Sequence, residues 1–120
     1  MTADDFRNLA LSLPEAVEAE HMGHADFRVR GKIFATLGPT GSDWGMVKLK
    51  PEQQREFVEA KPKVFQPVKG GWGRQGCTQV CLKAVDKKTL ATLRSAMFSA
   101  WLNTAPKRLV EELGHSDAES

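Results

Sequence analysis

The stretch over residues 26–50 constrains the fold most, because it holds three strand-like segments separated only by short turns. DFRVRGKIFATL, over residues 26–37, alternates apolar and polar side chains around a turn-forming glycine. The turn-rich GPTGSD comes next, followed by WGMVKLK over residues 44–50. Strands joined by turns this short must run antiparallel, so the pattern predicts a meander sheet.

Helical patterns flank this stretch on both sides. Thr2 and Asp5 resemble a capping box, and the helix that follows ends at Pro14. Pro51 suits the first position of a second helix, and Asp86 suits the N-cap of a long third helix. The apolar stripe predicted for the third helix consists of Leu90, Leu93, Met97 and Trp101.

The chain of 120 residues is the right size for one domain with one core. AVEAEHM and CTQVCLKAV add two further strand patterns to the meander. The order of elements predicts an α+β two-layer sandwich, an antiparallel meander sheet with helices packed on one face. We assign residues 1–114 to this single domain and expect residues 115–120 to form a disordered tail.

Several features favour the cytoplasm. No apolar run is long enough to cross a bilayer, and the acidic N-terminus lacks the basic start of a signal peptide. Cys77 and Cys81 lie four residues apart in a predicted strand, which separates them by roughly 13 Å. A disulfide needs its Cα atoms within about 7 Å, so both thiols are predicted to be free, as in a reducing compartment.

Charge is unevenly distributed, although the net charge is only +2. Residues 1–26 hold six acids and one base, residues 27–108 hold sixteen bases and five acids, and residues 109–120 hold four acids. A basic middle between acidic ends indicates a polyanionic partner. A solvated, lysine-rich surface is the alternative.

The glycine-rich GGWGRQG, over residues 70–76, contains the pattern G-x-G-x-x-G. A dinucleotide fingerprint needs a strand before it and a helix after it, whereas here a strand pattern follows, so this function is excluded. The glycines are instead predicted to allow positive φ or close backbone approach. Trp72 and Arg74 could then stack on a base and contact a phosphate; in the alternative, Trp72 folds onto the core and Arg74 is solvated.

Motifs for catalysis or metal binding are weak. His21 and His24 form H-x-x-H, but Gly23 favours a turn there and the sequence places no third ligand. No serine lies in a G-x-S-x-G elbow, and paired carboxylates occur only as exposed helix pairs. The sequence therefore predicts no metal, no cofactor and no catalytic residue.

The outer face of the sheet is predicted to be basic. If the apolar side chains of each strand point inward, the alternating residues between them point outward. The outward set then comprises Arg28, Arg30, Met46, Lys48, Lys50 and Lys83. Basic residues with a few apolar ones can form a nucleic-acid platform, although the ordinary polar side of an antiparallel sheet is the alternative.

Four segments carry a family resemblance: SLPEAVEAEHMGHADFRVRGKIFATL, VKLKPEQ, GGWGRQGCTQVCLKAVDKKTL and APKRL. Together they resemble the MmcQ/YjbR-like proteins, from about Phe6 to Leu109. The resemblance implies a small bacterial domain with a frataxin-like (CyaY-like) α+β fold. It also implies DNA binding through a double-wing arrangement of loops and strands, and it supplies no catalytic residues.

These observations predict a monomeric, non-catalytic domain that binds DNA with low sequence specificity. The residues assigned to nucleic-acid contact are Arg28, Arg30, Lys32, Lys48, Lys69, Trp72 and Arg74. One alternative is a protein-interaction or chaperone-like module that docks through the apolar residues Phe34 and Met46 of the open sheet face. The other is a small-ligand or enzymatic pocket between His24, Trp72 and Arg74.

Overall fold

The computed structural model describes residues 1–119, and side chains for residues 1–113. Its helices are α1 (Ala3–Leu11), α2 (Pro51–Ala60), α3 (Gly71–Arg74), α4 (Lys87–Thr104) and α5 (Lys107–Glu119), with a 3₁₀ turn at Leu82–Ala84. Its strands are β1 (Ala16–His21), β2 (His24–Val29), β3 (Lys32–Leu37), β4 (Trp44–Lys48), β5 (Phe65–Pro67) and β6 (Cys77–Cys81).

The strands form one six-stranded sheet in the order β1-β2-β3-β4-β6-β5, and all neighbours pair antiparallel. The helices pack on one side of this sheet, so the predicted α+β two-layer sandwich is confirmed. The segment before the glycines contributes the short edge strand β5. Helix α5 extends to Glu119. The disordered tail predicted over residues 115–120 falls beyond the residues whose side chains are described, so it stays a prediction.

Two tight turns fix the register of the first three strands. Met22 and Gly23 have φ values of 52° and 83°, and Arg30 and Gly31 have φ values of 51° and 83°. Two consecutive residues with positive φ are the pattern of the type I′ turn, whose twist matches that of the strands it joins. The hairpin predicted near Gly31 is therefore present, and the H-x-x-H segment is also a turn.

The core lies between the sheet and the helices and contains the predicted stripe of α4. Trp101 is 1% exposed, and its indole Nε1 donates a hydrogen bond to the carbonyl oxygen of Pro14 at 3.0 Å. Leu93 and Met97 are fully buried, and Leu90 packs against the cluster from a partly buried position. The stripe was therefore predicted correctly.

Phe34 does not lie on the open face, where the protein-docking alternative placed it. The β2–β3 register shifts between Phe27 and Arg28, because Phe27 pairs with Ala35 whereas Arg28 pairs with Ile33. Phe34 is the extra residue of this bulge, and both it and Ala35 are 0% exposed in the core. A bulge breaks the strict alternation on which the prediction for Phe34 rested.

Truncating Trp101 should severely destabilise the protein. We expect Trp101→Ala to lower the free energy of unfolding by about 3–5 kcal/mol, because it leaves a cavity and removes the donor for the Pro14 carbonyl. Denaturant melts would measure the loss. Trp72→Ala is the matched control, since that side chain is exposed and should change stability by less than about 0.5 kcal/mol. Equal losses in the two variants would contradict the assignment of Trp101 to the core.

The two cysteines should differ in reactivity. Both are free; Cys77 is buried and Cys81 is half-buried. Burial raises the pKa of the Cys77 thiol, so less of the reactive thiolate is present there at neutral pH. We expect native protein to react quickly with an aromatic disulfide reagent only at Cys81, and both thiols to react after denaturation. A fast phase that survives Cys81→Ser would contradict this.

Candidate nucleic-acid interface

One end of the sheet gathers the predicted contact residues. The β2–β3 turn at Arg30 and Gly31, the end of β4 at Lys48 and the start of β6 at Cys77 all lie there, because Lys48 pairs directly with Cys77. The segment before α3 reaches the same end, since the Val68 amide donates to the Cys77 carbonyl at 3.0 Å. We call this region the basic end; its cationic and aromatic members are Arg28, Arg30, Lys32, Lys48, Lys69, Trp72 and Arg74.

A cleft of about 450 Å³ opens at the basic end. Arg28, Lys32 and Lys48 line it from three successive strands, and Asn103 and Thr104 line it from the C-terminal end of α4. Among the side chains that the structure describes, no carboxylate lines the cleft. Three basic groups around one small cleft are suited to holding an anion.

The cleft exists because β3 and β4 part before they reach this end. Their pairing runs only from Ala35 opposite Val47 to Leu37 opposite Gly45. The Asn103 amide donates to the Lys48 carbonyl at 3.2 Å and to Gln53 Oε1 at 2.7 Å, which ties the end of β4 to α4 and α2. The sequence pattern did not identify Asn103, because its role depends on where the two strands separate.

Two of the predicted phosphate contacts are already occupied by carboxylates. Arg28 donates to both carboxylate oxygens of Asp26, at 2.8 and 3.0 Å, and Asp26 is buried. Arg30 donates to both oxygens of Glu15, at 2.6 and 2.9 Å. The hydrogen bonds with these carboxylates raise the pKa of each arginine, and Arg30 lowers the pKa of Glu15. A phosphate would have to compete with Asp26 or Glu15 for either guanidinium.

The remaining basic groups are not paired in this way. Within the part of the chain whose side chains are described, ion pairs involve neither Lys32, Lys48, Lys69 nor Arg74. Their positive charges are therefore available to a ligand, and the candidate interface centres on them more than on the two arginines.

The glycines of the 70–76 segment allow backbones to approach closely. A Cβ on Gly73 would lie 1.6 Å from the Val68 carbonyl oxygen, and a Cβ on Gly76 would lie 2.0 Å from the Leu49 carbonyl oxygen. The buried Gln54 amide donates to the carbonyls of Gly73 and Cys77 at 3.0 and 2.9 Å. The segment is thus held against the body of the domain on both sides of α3.

Trp72 points outward from this anchored segment. Its side chain is 65% exposed, so the alternative in which it folds onto the core is wrong. Arg74, two residues on, is also exposed. Large exposed aromatic side chains are informative, because an indole ring gains from burial and this one is kept in water.

The sequence profile of the YjbR family matches residues 11–113, most of the chain. This chain belongs to the YjbR family. The YjbR domain also resembles the crystal structure of Deinococcus radiodurans protein DR2400, a DUF419-domain protein, with a TM-score of 0.71. Sequence identity is 22%, and the match covers 94% of this chain and 88% of that one, which shows a shared fold alone. No curated protein matches significantly.

His24 lies far from the other members of the predicted ligand pocket. It pairs with His21 at the β1–β2 turn, and β2 then runs six residues before it reaches the basic end. At about 3.4 Å per residue, this separation is on the order of 17 Å. The YjbR domain therefore does not bring His24 together with Trp72 and Arg74.

Lys83 also lies away from the basic end. It follows the far end of β6 and pairs with Asp43 at 3.1 Å.

Across the described residues, no three His, Cys, Asp or Glu side chains cluster as a metal site requires. No helix in the same part of the chain has the length and apolar character needed to span a membrane.

A groove of about 900 Å³ lies between α1 and α4 of the YjbR domain. Leu9, Leu13, Leu90, Met97 and Phe98 give it an apolar lining. None of the predicted contact residues lines it. Helical periodicity indicated that several of these side chains share the apolar face of a helix, but it could not show where two helices part.

Two acidic side chains at the rim of this groove have structural roles. Each belongs to a capping box: Asp5 accepts a hydrogen bond from the backbone amide of Thr2, and Asp86 accepts one from the backbone amide of Thr89. These hydrogen bonds lower the pKa of both carboxyls. Capping thus accounts for the charge state of both groups without a catalytic role.

Replacing Gly73 tests the anchoring of the loop. We expect Gly73→Ala to lower the free energy of unfolding by about 1–3 kcal/mol, because its Cβ would overlap the Val68 carbonyl and the backbone must shift. Gly71→Ala is the control, since its Cβ would approach nothing closer than 4.0 Å. Thermal melts of both variants make the comparison, and equal melting temperatures would show that the segment is loosely held.

Proposed function

We propose that this YjbR domain binds nucleic acid without catalysis, through phosphate contacts at the basic end. The observation that carries the proposal is the cleft between Lys32 and Lys48, which no described carboxylate lines. Lys69 and Arg74 add charge from the neighbouring loop. In the same proposal, the protein is a cytoplasmic monomer that binds nucleic acid with low sequence specificity.

The arrangement of these groups supports contact with several phosphates at once. β3 and β6 flank β4, and β3 has parted from β4 at this end, so Lys32 and the loop before β6 are separated by at least two strand spacings, roughly 10 Å. Lys48 lies between them on β4. A nucleic-acid backbone presents negative charges closely and repeatedly, so cations spread over this distance can engage one strand together.

The state of a nearby cysteine thiol also supports a binding role. Cys77 pairs with Lys48 across the sheet, and a neighbouring cation would activate a thiol. Burial nevertheless raises the pKa of Cys77 more than Lys48 lowers it. The protonated thiol is therefore favoured at neutral pH, which does not suit nucleophilic catalysis.

The protein-docking alternative retains one supporting observation at the opposite end of the sheet. Met22 is 83% exposed at the β1–β2 turn. Exposed apolar side chains can contact a protein partner. A partner at that end would bind with weak salt dependence, whereas phosphate contacts weaken steeply as salt rises.

Binding to labelled oligonucleotides should depend on salt and on the unpaired cations. Four such contacts give an expected slope of log K against log salt of about −3.6 for duplex DNA and about −2.8 for a single strand. Lys48→Ala and Arg74→Ala should each weaken binding and reduce the steepness of the slope by about one. Fluorescence anisotropy across a salt series measures both quantities.

Lys83→Ala provides the matched control, because it removes one positive charge at the opposite end of the sheet. Its affinity and slope should equal those of the wild type. Arg30→Ala should have a smaller effect than Arg74→Ala, since Glu15 already compensates Arg30. The proposal is wrong if the wild type binds neither DNA nor RNA at low salt, or if Lys83→Ala weakens binding as much as Lys48→Ala.

A further inference from the structure

Trp72 is held in the solvent by a rigid support. The segment that carries it is fixed by the Gln54 hydrogen bonds to Gly73 and Cys77, and by the close backbone contacts of Gly73 and Gly76. An aromatic ring on a mobile loop would lose conformational freedom when it met a partner. A ring that is already positioned loses less, so more of its contact energy is available for binding.

The surroundings of the ring are cationic. Lys69 and Arg74 flank Trp72 along the chain, and the β6 residue that follows the loop, Cys77, pairs with Lys48 of the basic cleft. An aromatic face beside a cationic track is the combination by which proteins bind single-stranded nucleic acid: the phosphates follow the charges and a base stacks on the ring.

Stacking on Trp72 needs a base whose face is uncovered. In a duplex, the neighbouring base pairs cover both faces of every internal base. Helix α3 has four residues and is not a helix of the length that reads base edges in the major groove. The geometry therefore favours an unpaired strand over a duplex.

We infer that this domain binds single-stranded nucleic acid, with one unpaired base stacked on Trp72 and the adjoining phosphates on Lys48, Lys32 and Arg74. This inference rests on the proposed function and specifies its ligand. Stacking on an indole is tolerant of base identity, so the preference among sequences is weak. The ring contacts the base and not the sugar, so DNA and RNA single strands bind alike.

The test combines a protein change with a ligand change. The probes are a fluorescein-labelled single strand of about twelve nucleotides, the duplex of the same sequence, and a single strand of equal length in which all bases are replaced by abasic sites. The abasic strand keeps every phosphate and removes every stacking surface. Affinities of wild type, Trp72→Ala, Trp72→Phe and Lys48→Ala are measured for each probe by anisotropy.

We expect Trp72→Ala to weaken single-strand binding by roughly 5- to 150-fold and duplex binding by less than about twofold. Trp72→Phe should retain most of the affinity. The abasic strand should bind the wild type as weakly as the normal strand binds Trp72→Ala, and removing the bases should have little further effect on that variant. Quenching of tryptophan fluorescence on binding should disappear in Trp72→Ala.

Two results would separate this inference from the proposed function. If Lys48→Ala weakens binding but Trp72→Ala affects single strand and duplex equally, or the abasic strand binds the wild type as well as the normal strand, stacking is overturned and phosphate binding stands. If the wild type binds no probe at low salt, both are overturned. Thermal melting checks that each variant is folded.

Discussion

The packing of α4 across β3 and β4 is the contact on which both the core and the candidate interface depend. Trp101 and Met97 bury one face of the helix against the sheet, and Trp101 also binds the Pro14 carbonyl at the end of the first helical segment. Two residues further on, Asn103 binds the Lys48 carbonyl at the end of β4. A change that tilted α4 would therefore alter the core and the basic cleft together.

The glycine-rich segment shows how a rigid support can be built from residues that are usually flexible. Gly73 and Gly76 lie where any side chain would strike a backbone carbonyl, so their lack of a Cβ permits contact with Val68 and Leu49. Gln54 then satisfies two carbonyls that the close contact buries. The consequence is an ordered loop, although its composition alone would be typical of a mobile one.

Much of the fold followed from local pattern. The condition that apolar strand side chains point inward holds for Phe27, Val29 and Val47, which are buried, and the turn residues correctly located both hairpins. The alternation rule failed at Phe34 because a bulge adds one residue to β3, and no local signal marks a bulge of this kind. The cleft also depends on where β3 and β4 stop pairing, which is a property of the whole sheet.

Charge was harder to interpret from the sequence than hydrophobicity was. Counting by segment made residues 1–26 an acidic region separate from a basic middle. In the folded chain, two of those acids, Asp26 and Glu15, pair with Arg28 and Arg30, so part of the basic excess is compensated locally. The Glu15–Arg30 pair joins residues fifteen positions apart, and only the return of β2 along β1 brings them together.

The ion pairs of Arg28 and Arg30 with carboxylates also determine which side chains are available to bind a ligand. Arginine suits bidentate contacts, and here that capacity is used on carboxylates, which fixes the hairpin and the β2 surface. The unpaired groups in the cleft are lysines, which act as point charges and do not select a geometry. Charge in the cleft therefore supplies attraction with little selectivity. Any discrimination among ligands must come from the shape and chemistry of Trp72, the exposed aromatic side chain of the basic end.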